Sequence, residues 1–147
     1  MLIGKIMTPE VISVAPTSSI GAAIELMRQH GIRRLPVVED ERLVGIVTDR
    51  DLRQATNSPL VLRERWYSEF LLEAIKVRSC MTPDPITVTP ATPVAQAAQA
   101  LRSHKIGGLP VVDVAQADRL VGMVTITDML DCLIKLLTLT EENDPAR

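Results

Sequence analysis

Two Thr-x-x-Asp sequences are the best candidates for chemistry in this chain: Thr48 with Asp51 in "GIVTDRD", and Thr125 with Asp128 in "GMVTITD". Each follows an apolar run and precedes a helical pattern, so each pair is expected at the start of a helix. Free backbone N–H groups there can bind an anion. A threonine hydroxyl can add a hydrogen bond to a phosphate, and a carboxylate one turn later can accept both hydroxyls of a ribose. The pairs predict either a nucleotide clamp or a capping box, and the same helix start can serve as a cap when empty and receive a nucleotide when full.

Arg33 and Arg34, in "HGIRRLPVV", are the second candidates for binding an anion. They fall between a predicted helix end and a predicted buried strand, where the backbone is well fixed. Guanidinium groups suit phosphate oxygens, although two adjacent arginines can equally be solvated surface charge. The second copy of this sequence has Gly107 and Gly108 here, which removes the charge and allows close approach of a backbone or a ligand.

Catalysis and metal binding find little support in the sequence. His30 and His104 fall in the last turns of two predicted helices, where an imidazole suits the helix dipole, and we favour this over metal binding or catalysis. No P-loop, GxGxxG, HExxH or nucleophile elbow occurs, and no Cys, Ser or Lys is visibly paired with a base. We therefore predict no catalytic residue, no metal site and no enzymatic activity.

An internal duplication positions these residues. Residues 7–38 and 81–112 are identical at about 14 of 32 positions at a constant offset. The second copy then gains three residues in "DVAQAD" before "RLVG" resumes. Neither copy would bury its apolar face alone, so the two are expected to pack together. The predicted boundaries are a first repeat at 1–57, a linker helix at 58–78, a second repeat at 79–139 and a flexible tail at 140–147.

Each copy predicts the element order β-α-β-β-α. The alternating stretches "VISV" and "PITV" predict short strands. A Ser/Thr cluster then predicts a helix cap, and Gly31 predicts a left-handed helix end. Two β-branched strands joined by a charged turn lead into a second helix near Asp49. Gly45 and Gly122 interrupt these strands, which predicts that a backbone or ligand approaches closely there.

The segment between the copies predicts an amphipathic helix that begins at Ser58 and Pro59. It contains every aromatic residue of the chain, namely Trp66, Tyr67 and Phe70. Two interpretations stay open: the helix packs on its own repeat, or it forms a dimer contact, because aromatic side chains are frequent interface anchors. Elsewhere the core must be aliphatic.

Composition and charge are those of an ordinary soluble protein, with 46% hydrophobic and 23% charged residues. The net charge of -2 gives no indication of nucleic-acid or anionic-membrane binding. The N-terminus lacks a signal-peptide h-region, and no apolar run approaches the roughly 18 residues of a membrane helix. Cys80 and Cys132 fit no metal-ligand spacing, and two free thiols in a reducing cytosol are favoured over a disulfide. We predict a cytoplasmic protein without a membrane or nucleic-acid partner.

The duplicated sequences resemble the CBS domain, the cystathionine-β-synthase-type repeat. The resemblance rests on "MTPEVISV" with "MTPDPITV", "IRRLPVV" with "IGGLPVV", and "LVGIVTDRDL" with "LVGMVTITDML", and it covers nearly the whole chain except the linker helix and the tail. It implies an α+β fold in which two tandem β-α-β-β-α repeats pack sheet to sheet as one module. It also implies flat dimers, clefts between the repeats that bind adenosine-containing ligands, and regulation of another protein.

The resemblance further implies roles for single residues. The family's nucleotide motif places Thr48 and Thr125 at a phosphate, and Asp51 and Asp128 at a ribose. Arg33 stands where AMP-binding members often carry a basic residue. The implied ligand-binding residues are Thr48, Asp51, Thr125, Asp128, Arg33, Arg34, Ile12 and Ile86, the two isoleucines lying beside the adenine.

These expectations together describe a stand-alone regulatory module. It binds AMP, ADP, ATP or S-adenosylmethionine as a regulatory ligand, requires no cofactor, forms a homodimer and signals to an unidentified regulated protein. The alternative is a dimeric structural adaptor with vestigial ligand clefts, which the uncharged Gly107–Gly108 loop slightly favours.

Overall fold

The computed structural model describes residues 1–56 and 65–143. The first repeat contains helix α1 (Ile20–His30), strands β1 (Arg34–Glu39) and β2 (Arg42–Thr48), and helix α2 (Asp49–Thr56). Helix α3 (Arg65–Ala74) follows. The second repeat contains the short strand β3 (Thr82–Pro83), helix α4 (Val94–His104), strands β4 (Gly108–Asp113) and β5 (Arg119–Thr125), and helix α5 (Ile126–Glu142). The predicted α+β architecture of two tandem repeats is confirmed.

Capping residues are found at the start of α1 and at the ends of α1 and α4. The Ser19 hydroxyl accepts a 3.1 Å hydrogen bond from the Ala22 N–H and so caps α1. Gly31 ends α1 in the left-handed conformation at φ 61°, as the sequence predicted. Lys105 takes the same conformation at the end of α4, at φ 53°, although its side chain makes this less favourable. His30 and His104 are the last residues of α1 and α4, the positions predicted for them.

Two antiparallel hairpins form the sheet. Strand β1 pairs with β2, β4 pairs with β5, and the hairpins meet edge to edge through the pair Arg42 and Arg119, which gives the order β1-β2-β5-β4. Both hairpin turns have two successive residues at positive φ: Asp40 and Glu41 in the first, Ala117 and Asp118 in the second. Such turns match the right-handed twist of the strands. The three residues inserted in the second copy lie before this second turn, where Val114–Gln116 form a short 3-10 helix.

The predicted strands "VISV" and "PITV" are reduced to one parallel bridge each, Val14 with Val37 and Val88 with Val111. Each bridge continues into a hydrogen bond of 2.9 Å, from Val38 N–H to the Val14 carbonyl and from Val112 N–H to the Val88 carbonyl. These segments therefore run beside the sheet rather than within it.

The opening segment of each repeat packs on the other repeat. Ile3 is fully buried in the core of the second repeat, and its equivalent Val77 is fully buried in the core of the first. The backbone bonds match: Ile3 N–H donates to the Thr92 carbonyl (2.8 Å), and Val77 N–H donates to the Ser18 carbonyl (2.8 Å). The boundaries predicted from the sequence describe the duplication. In the folded chain, however, the first residues of each copy pack in the core of the other copy.

This exchange explains the two strand glycines. Thr8 and Met123 exchange two backbone hydrogen bonds of 2.9 and 3.0 Å, and Thr82 pairs with Ile46 on β2. A Cβ on Gly122 would lie 2.6 Å from Met7 Sδ, and a Cβ on Gly45 would lie 2.6 Å from Met81 Sδ. The close approach predicted at both glycines is confirmed, and its cause is the opening segment of the opposite repeat.

Helix α3 packs on the first repeat through Leu72 and Ile75, which contact its core, as one of the two interpretations expected. Phe70 is 61% exposed. The predicted helix start at Ser58 and Pro59 lies outside the described residues, and so do the side chains of Trp66 and Tyr67. The alternative role of the aromatic face as a dimer contact stays a prediction.

The buried side chains of residues 1–56 and 69–143 are aliphatic or belong to proline, methionine and cysteine, and none of them is aromatic. None of the helices in this part of the chain combines the length and the apolar composition needed to cross a bilayer. Helix α5 continues to Glu142, into the segment predicted as a tail, and residues 144–147 lie outside the description.

Candidate functional site

A cleft of about 640 Å³ lies between the two repeats. Its first wall is the segment around Ile12 and the loop from His30 to Arg34, all from the first repeat. Its second wall is the start of α5 at Thr125–Asp128, from the second repeat. Gly107, from the second repeat, also lines the cleft.

Five of the eight predicted ligand-binding residues line this one cleft: Ile12, Arg33, Arg34, Thr125 and Asp128. The structure therefore combines the arginine loop of one repeat with the Thr-x-x-Asp of the other. Sequence spacing alone did not reveal this pairing, because the two motifs of each repeat are adjacent along the chain.

Thr125 and Asp128 form a complete capping box at the start of α5. The Thr125 N–H and hydroxyl both donate to Asp128 Oδ2, at 2.7 and 3.0 Å, and the Asp128 N–H donates to the Thr125 hydroxyl at 3.4 Å. Asp128 Oδ1 accepts no hydrogen bond from any described residue. The N–H of Thr127, on the same helix start, is likewise without an acceptor among residues 1–56 and 65–143. The cap thus leaves one carboxylate oxygen and one helix N–H for a ligand.

Thr48 and Asp51 form the equivalent box at the start of α2. The Thr48 N–H donates to Asp51 Oδ2 at 2.9 Å, and the Asp51 N–H donates to the Thr48 hydroxyl at 3.1 Å. Both motifs therefore cap their helices, and the ligand role of the same residues stays a prediction. Asp49 is paired with Arg53 at 2.8 Å on the exposed face of α2, in keeping with a first-turn acid.

Thr48, Asp51 and Ile86 are not part of the cleft that contains the arginines. Ile86 is 39% exposed. Asp51 lies instead beside Cys80, where burial of the thiol and then the charge of Asp51 raise the pKa of Cys80. In the duplicated sequence these three residues are the equivalents of Thr125, Asp128 and Ile12.

Arg34 reaches across the axis onto the second repeat. Its guanidinium occupies the space where a Cβ on Gly107 would stand, and its Cδ lies 2.7 Å from the position of a Cβ on Gly108. Neither Arg33 nor Arg34 forms an ion pair within the described part of the chain. Burial, and then the neighbouring charge of Arg33, lower the pKa of Arg34. Two adjacent cations without a carboxylate partner are an arrangement that an anion would stabilise.

Several lining residues were missed by the sequence reasoning. Thr8 enters the cleft because the first segment pairs with β5, and Glu10 follows it into the same wall. Ile126 and Thr127 belong to the helix start between the two predicted residues. The signal for the last two was present, since they separate Thr125 from Asp128, but the exchanged packing that brings Thr8 there leaves no local pattern.

The geometry fits a ligand with an apolar part and an anionic part. Ile12, Val11 and Met123 provide an apolar surface, while Arg33, Arg34 and the start of α5 provide positive potential. His30 lies at the edge of the same cleft, at the end of α1. Residues 1–56 and 65–143 contain no group of three or more His, Cys, Asp or Glu side chains that could hold a metal ion.

Comparison with known proteins decides the family. The model of the CBS domain matches residues 3–58 and 77–135. The chain belongs to the CBS domain family. The matched segments are the two repeats, and the region between them contains α3.

CBS proteins of similar length and solved CBS pairs are among its relatives. A CBS domain-containing protein of Dictyostelium discoideum is 39% identical over 138 residues, covering 93% of this chain and 94% of that protein. An inosine-5'-monophosphate dehydrogenase of Korarchaeum cryptofilum is 39% identical over 120 residues, 82% of this chain but 22% of the enzyme. CBS repeats thus occur in both short and long chains.

Two similar crystal structures contain adenosine compounds. CBSX2 from Arabidopsis thaliana, solved in complex with AMP, has a TM-score of 0.76 at 30% identity, over 92% of this chain and 97% of that one. The CBS domain pair of protein MJ0100 was solved with 5'-methylthioadenosine and S-adenosyl-L-methionine, and has a TM-score of 0.74 at 28% identity over 90% and 95% of the two chains.

Proposed function

We propose that this CBS module binds an adenosine-containing ligand in the cleft between its repeats and reports the bound state to another protein. The observation that carries the proposal is the convergence of Arg33, Arg34, Thr125 and Asp128 around one cleft with Ile12 on its apolar wall. The AMP and S-adenosylmethionine complexes of similar CBS pairs support the ligand class.

In this arrangement each part of the ligand meets suitable chemistry. The adenine lies on Ile12, the ribose hydroxyls donate to the free Oδ1 of Asp128, and a phosphate lies between the two arginines and the start of α5. Because the ligand contacts both repeats, it stabilises the arrangement of the repeats that it binds best and shifts the population towards it. The proposal includes a second, symmetry-related position at Thr48, Asp51 and Ile86.

Calorimetric titration tests the proposal. AMP, ADP, ATP and S-adenosylmethionine are titrated separately, and at least one is expected to bind with a Kd below about 1 mM, or roughly -4 kcal/mol. Asp128→Ala is expected to weaken binding in the arginine cleft and Asp51→Ala in the related position. If no ligand binds in this range, the sensor function is rejected, and unchanged affinity in both variants would remove the ribose assignment.

The second candidate is a dimeric adaptor with vestigial clefts, and the self-satisfied capping boxes favour it, because both helix starts are stable without a ligand. A thermal-shift assay separates the two functions. A ligand that binds only the folded state must raise the melting temperature, by an amount that grows with its concentration. An adaptor shows no shift with any of the four compounds.

The proposed assembly is a homodimer that involves α5. Leu130, Leu133, Ile134 and Leu137 recur at helical spacing and are 50–61% exposed. We expect the protein to elute with twice its monomer mass in size-exclusion chromatography with light scattering, and Leu133→Glu to shift it towards the monomer. Val114→Glu, at a residue that is 63% exposed in a turn, is the matched control. A monomeric wild type would reject the dimer.

The proposed role is regulatory and cytoplasmic, with no reaction catalysed by this chain. Purified protein incubated with AMP or ATP should leave the nucleotide unchanged by chromatography. Steady, protein-dependent consumption of nucleotide would overturn this part of the proposal.

A further inference from the structure

The arginine and glycine loops meet at the axis between the repeats. Arg33 and Arg34 align with Gly107 and Gly108 at the same offset that relates residues 7–38 to residues 81–112. The carbonyl of Arg33 accepts the Asp49 N–H at 2.7 Å, and the carbonyl of Gly107 accepts the Ile126 N–H at 3.0 Å. The two loops therefore have equivalent backbones, and they differ in their side chains.

The missing side chains of the second loop are replaced by Arg34. The guanidinium fills the Cβ position of Gly107, and its aliphatic stem lies against Gly108. Any side chain at 107 would displace the guanidinium, because its Cβ would overlap the guanidinium nitrogen and carbon. Gly107 and Gly108 thus leave the space that the Arg34 side chain occupies, which we call the seat of Arg34.

The seat holds Arg34 at the wall of the cleft that contains Thr125 and Asp128. Burial and the charge of Arg33 both disfavour a second cation at this place, as the lowered pKa of Arg34 shows. No carboxylate of the described chain lies within ion-pair distance to offset this. The position is unfavourable for the empty protein and favourable once an anion is bound.

The related cleft has a different set of charges. The glycine loop supplies it with no guanidinium, and Asp49 stands at its helix start where the arginine cleft has Ile126. Lys105 and Arg50, which stand where the other repeat has Gly31 and Thr127, are exposed as Arg33 is, and neither has the half-buried position of Arg34. A carboxylate at the helix start opposes an anion at the place where the free N–H groups would bind it.

We propose that Gly107 and Gly108 are positioning residues that hold Arg34 in a single anion site, so that each chain binds one phosphorylated ligand, in the cleft with Asp128, and the second position at Thr48 and Asp51 is left to ligands without a phosphate. This inference deepens the proposed function and rests on it for the adenosine part of the ligand. It adds that the ligand is an anion, that one anion binds per chain, and that Arg34, Gly107 and Gly108 determine both properties.

Calorimetry with AMP and with adenosine tests the inference. Wild-type protein is expected to bind one AMP per chain and to prefer AMP over adenosine. Arg34→Ala should lower AMP affinity about 10- to 100-fold, the range of a hydrogen bond to a charged group. Adenosine affinity should stay within about twofold, since adenosine has no phosphate for Arg34 to contact. Arg28→Ala, an exposed cation paired with Glu25, is the charge control.

A double-mutant cycle isolates the positioning role. Gly107→Ala should lower AMP affinity at least about fivefold in the wild-type background and leave it unchanged in the Arg34→Ala background, because the effect acts through Arg34. A purely structural effect of Gly107→Ala would appear in both backgrounds and would weaken adenosine equally. Equal losses in the two backgrounds, equal binding of AMP and adenosine, or two AMP per chain would each overturn the inference.

Inorganic pyrophosphate separates failure of the inference from failure of the proposed function. If no adenosine compound binds but pyrophosphate binds once per chain and requires Arg34, the proposed function fails and the anion site stands. If adenosine and AMP bind equally well and pyrophosphate does not bind, the proposed function stands and the anion site is rejected. If none of the three binds, both are rejected.

Discussion

The loop at Arg33–Arg34 and the loop at Gly107–Gly108 arise from one duplicated sequence and lie face to face. Two arginine loops in this place would collide and repel each other, and two glycine loops would leave a gap. The large side chain of Arg34 fills the space above the two glycines instead. The comparison teaches that a duplicated module can pack across its axis because the copies have diverged in side-chain volume. The same divergence gives the two equivalent loops different charges.

Other equivalent positions have remained alike. The capping boxes match in their bonds, Gly45 and Gly122 both face a methionine of the opposite repeat, and both opening segments are exchanged. The exchanged packing is thus symmetric, while the loops at the axis differ in side-chain volume and charge. Each prediction below compares one repeat with the other.

The largest effects are expected where the repeats exchange their opening segments. Ile3→Ala should lower the free energy of unfolding by about 2–5 kcal/mol, and Val77→Ala by about 2 kcal/mol, because both side chains are fully buried. Urea unfolding measures the total loss. Hydrogen exchange should show faster exchange in β4 and β5 for Ile3→Ala, and in β1 and β2 for Val77→Ala.

Val114→Ala is the control for this pair, since Val114 is exposed and should change stability by less than about 0.5 kcal/mol. Faster exchange in the first repeat for Ile3→Ala would show that the segments are not exchanged.

Gly45→Ala and Gly122→Ala test whether the exchanged packing is symmetric. Each new Cβ would meet a methionine sulfur at 2.6 Å and a carbonyl oxygen at 3.0 or 3.1 Å. The sulfur can move, but the carbonyl belongs to a paired backbone, so each variant should lose about 1–3 kcal/mol of stability. Thermal or urea unfolding gives both values. A large loss at one glycine and none at the other would contradict the symmetry.

The sequence predicted the repeats, the helix ends and the close approach at both glycines, because these depend on local pattern and on the offset between copies. It predicted which residue types form the site, but not that Arg33 shares a cleft with Asp128 rather than Asp51. That pairing depends on the exchange of Ile3 and Val77, which local periodicity does not encode. The seat of Arg34 likewise depends on two loops that are distant in sequence and meet only after folding.

A smaller effect is expected at the ends of α1 and α4. Gly31 and Lys105 have almost the same positive φ, 61° and 53°, but only glycine adopts it without strain. Lys105→Gly should therefore raise the free energy of unfolding by up to about 1 kcal/mol, and Gly31→Ala should lower it by about 1 kcal/mol. A melting-temperature comparison of the two variants checks the signs. If Lys105→Gly destabilises the protein, the lysine side chain makes contacts that outweigh its backbone strain.

The smallest predicted effect concerns Cys80, which stands where the first repeat has Ile6. Burial and the charge of Asp51 raise its pKa above the ordinary thiol value of about 8.5. The neutral thiol is favoured in the folded state, so its contribution to stability is fully present below the unfolded pKa and is lost as pH rises through the folded pKa. Below pH 9 its alkylation by iodoacetamide, followed by peptide mass spectrometry, should be slower than that of an unstructured cysteine peptide.

Asp51→Asn tests how much the charge of Asp51 raises the pKa of Cys80. It removes the charge while keeping an oxygen that can accept the Thr48 N–H. The variant should lower the pKa of Cys80 and speed its alkylation at pH 8 to 9. Asp128→Asn, the equivalent change in the other repeat, should leave the Cys80 rate as in the wild type. The effect of Asp51→Asn should be small, since burial is the larger cause of the raised pKa. Equal acceleration by both variants would show that alkylation reports general loosening of the module rather than the charge beside Cys80.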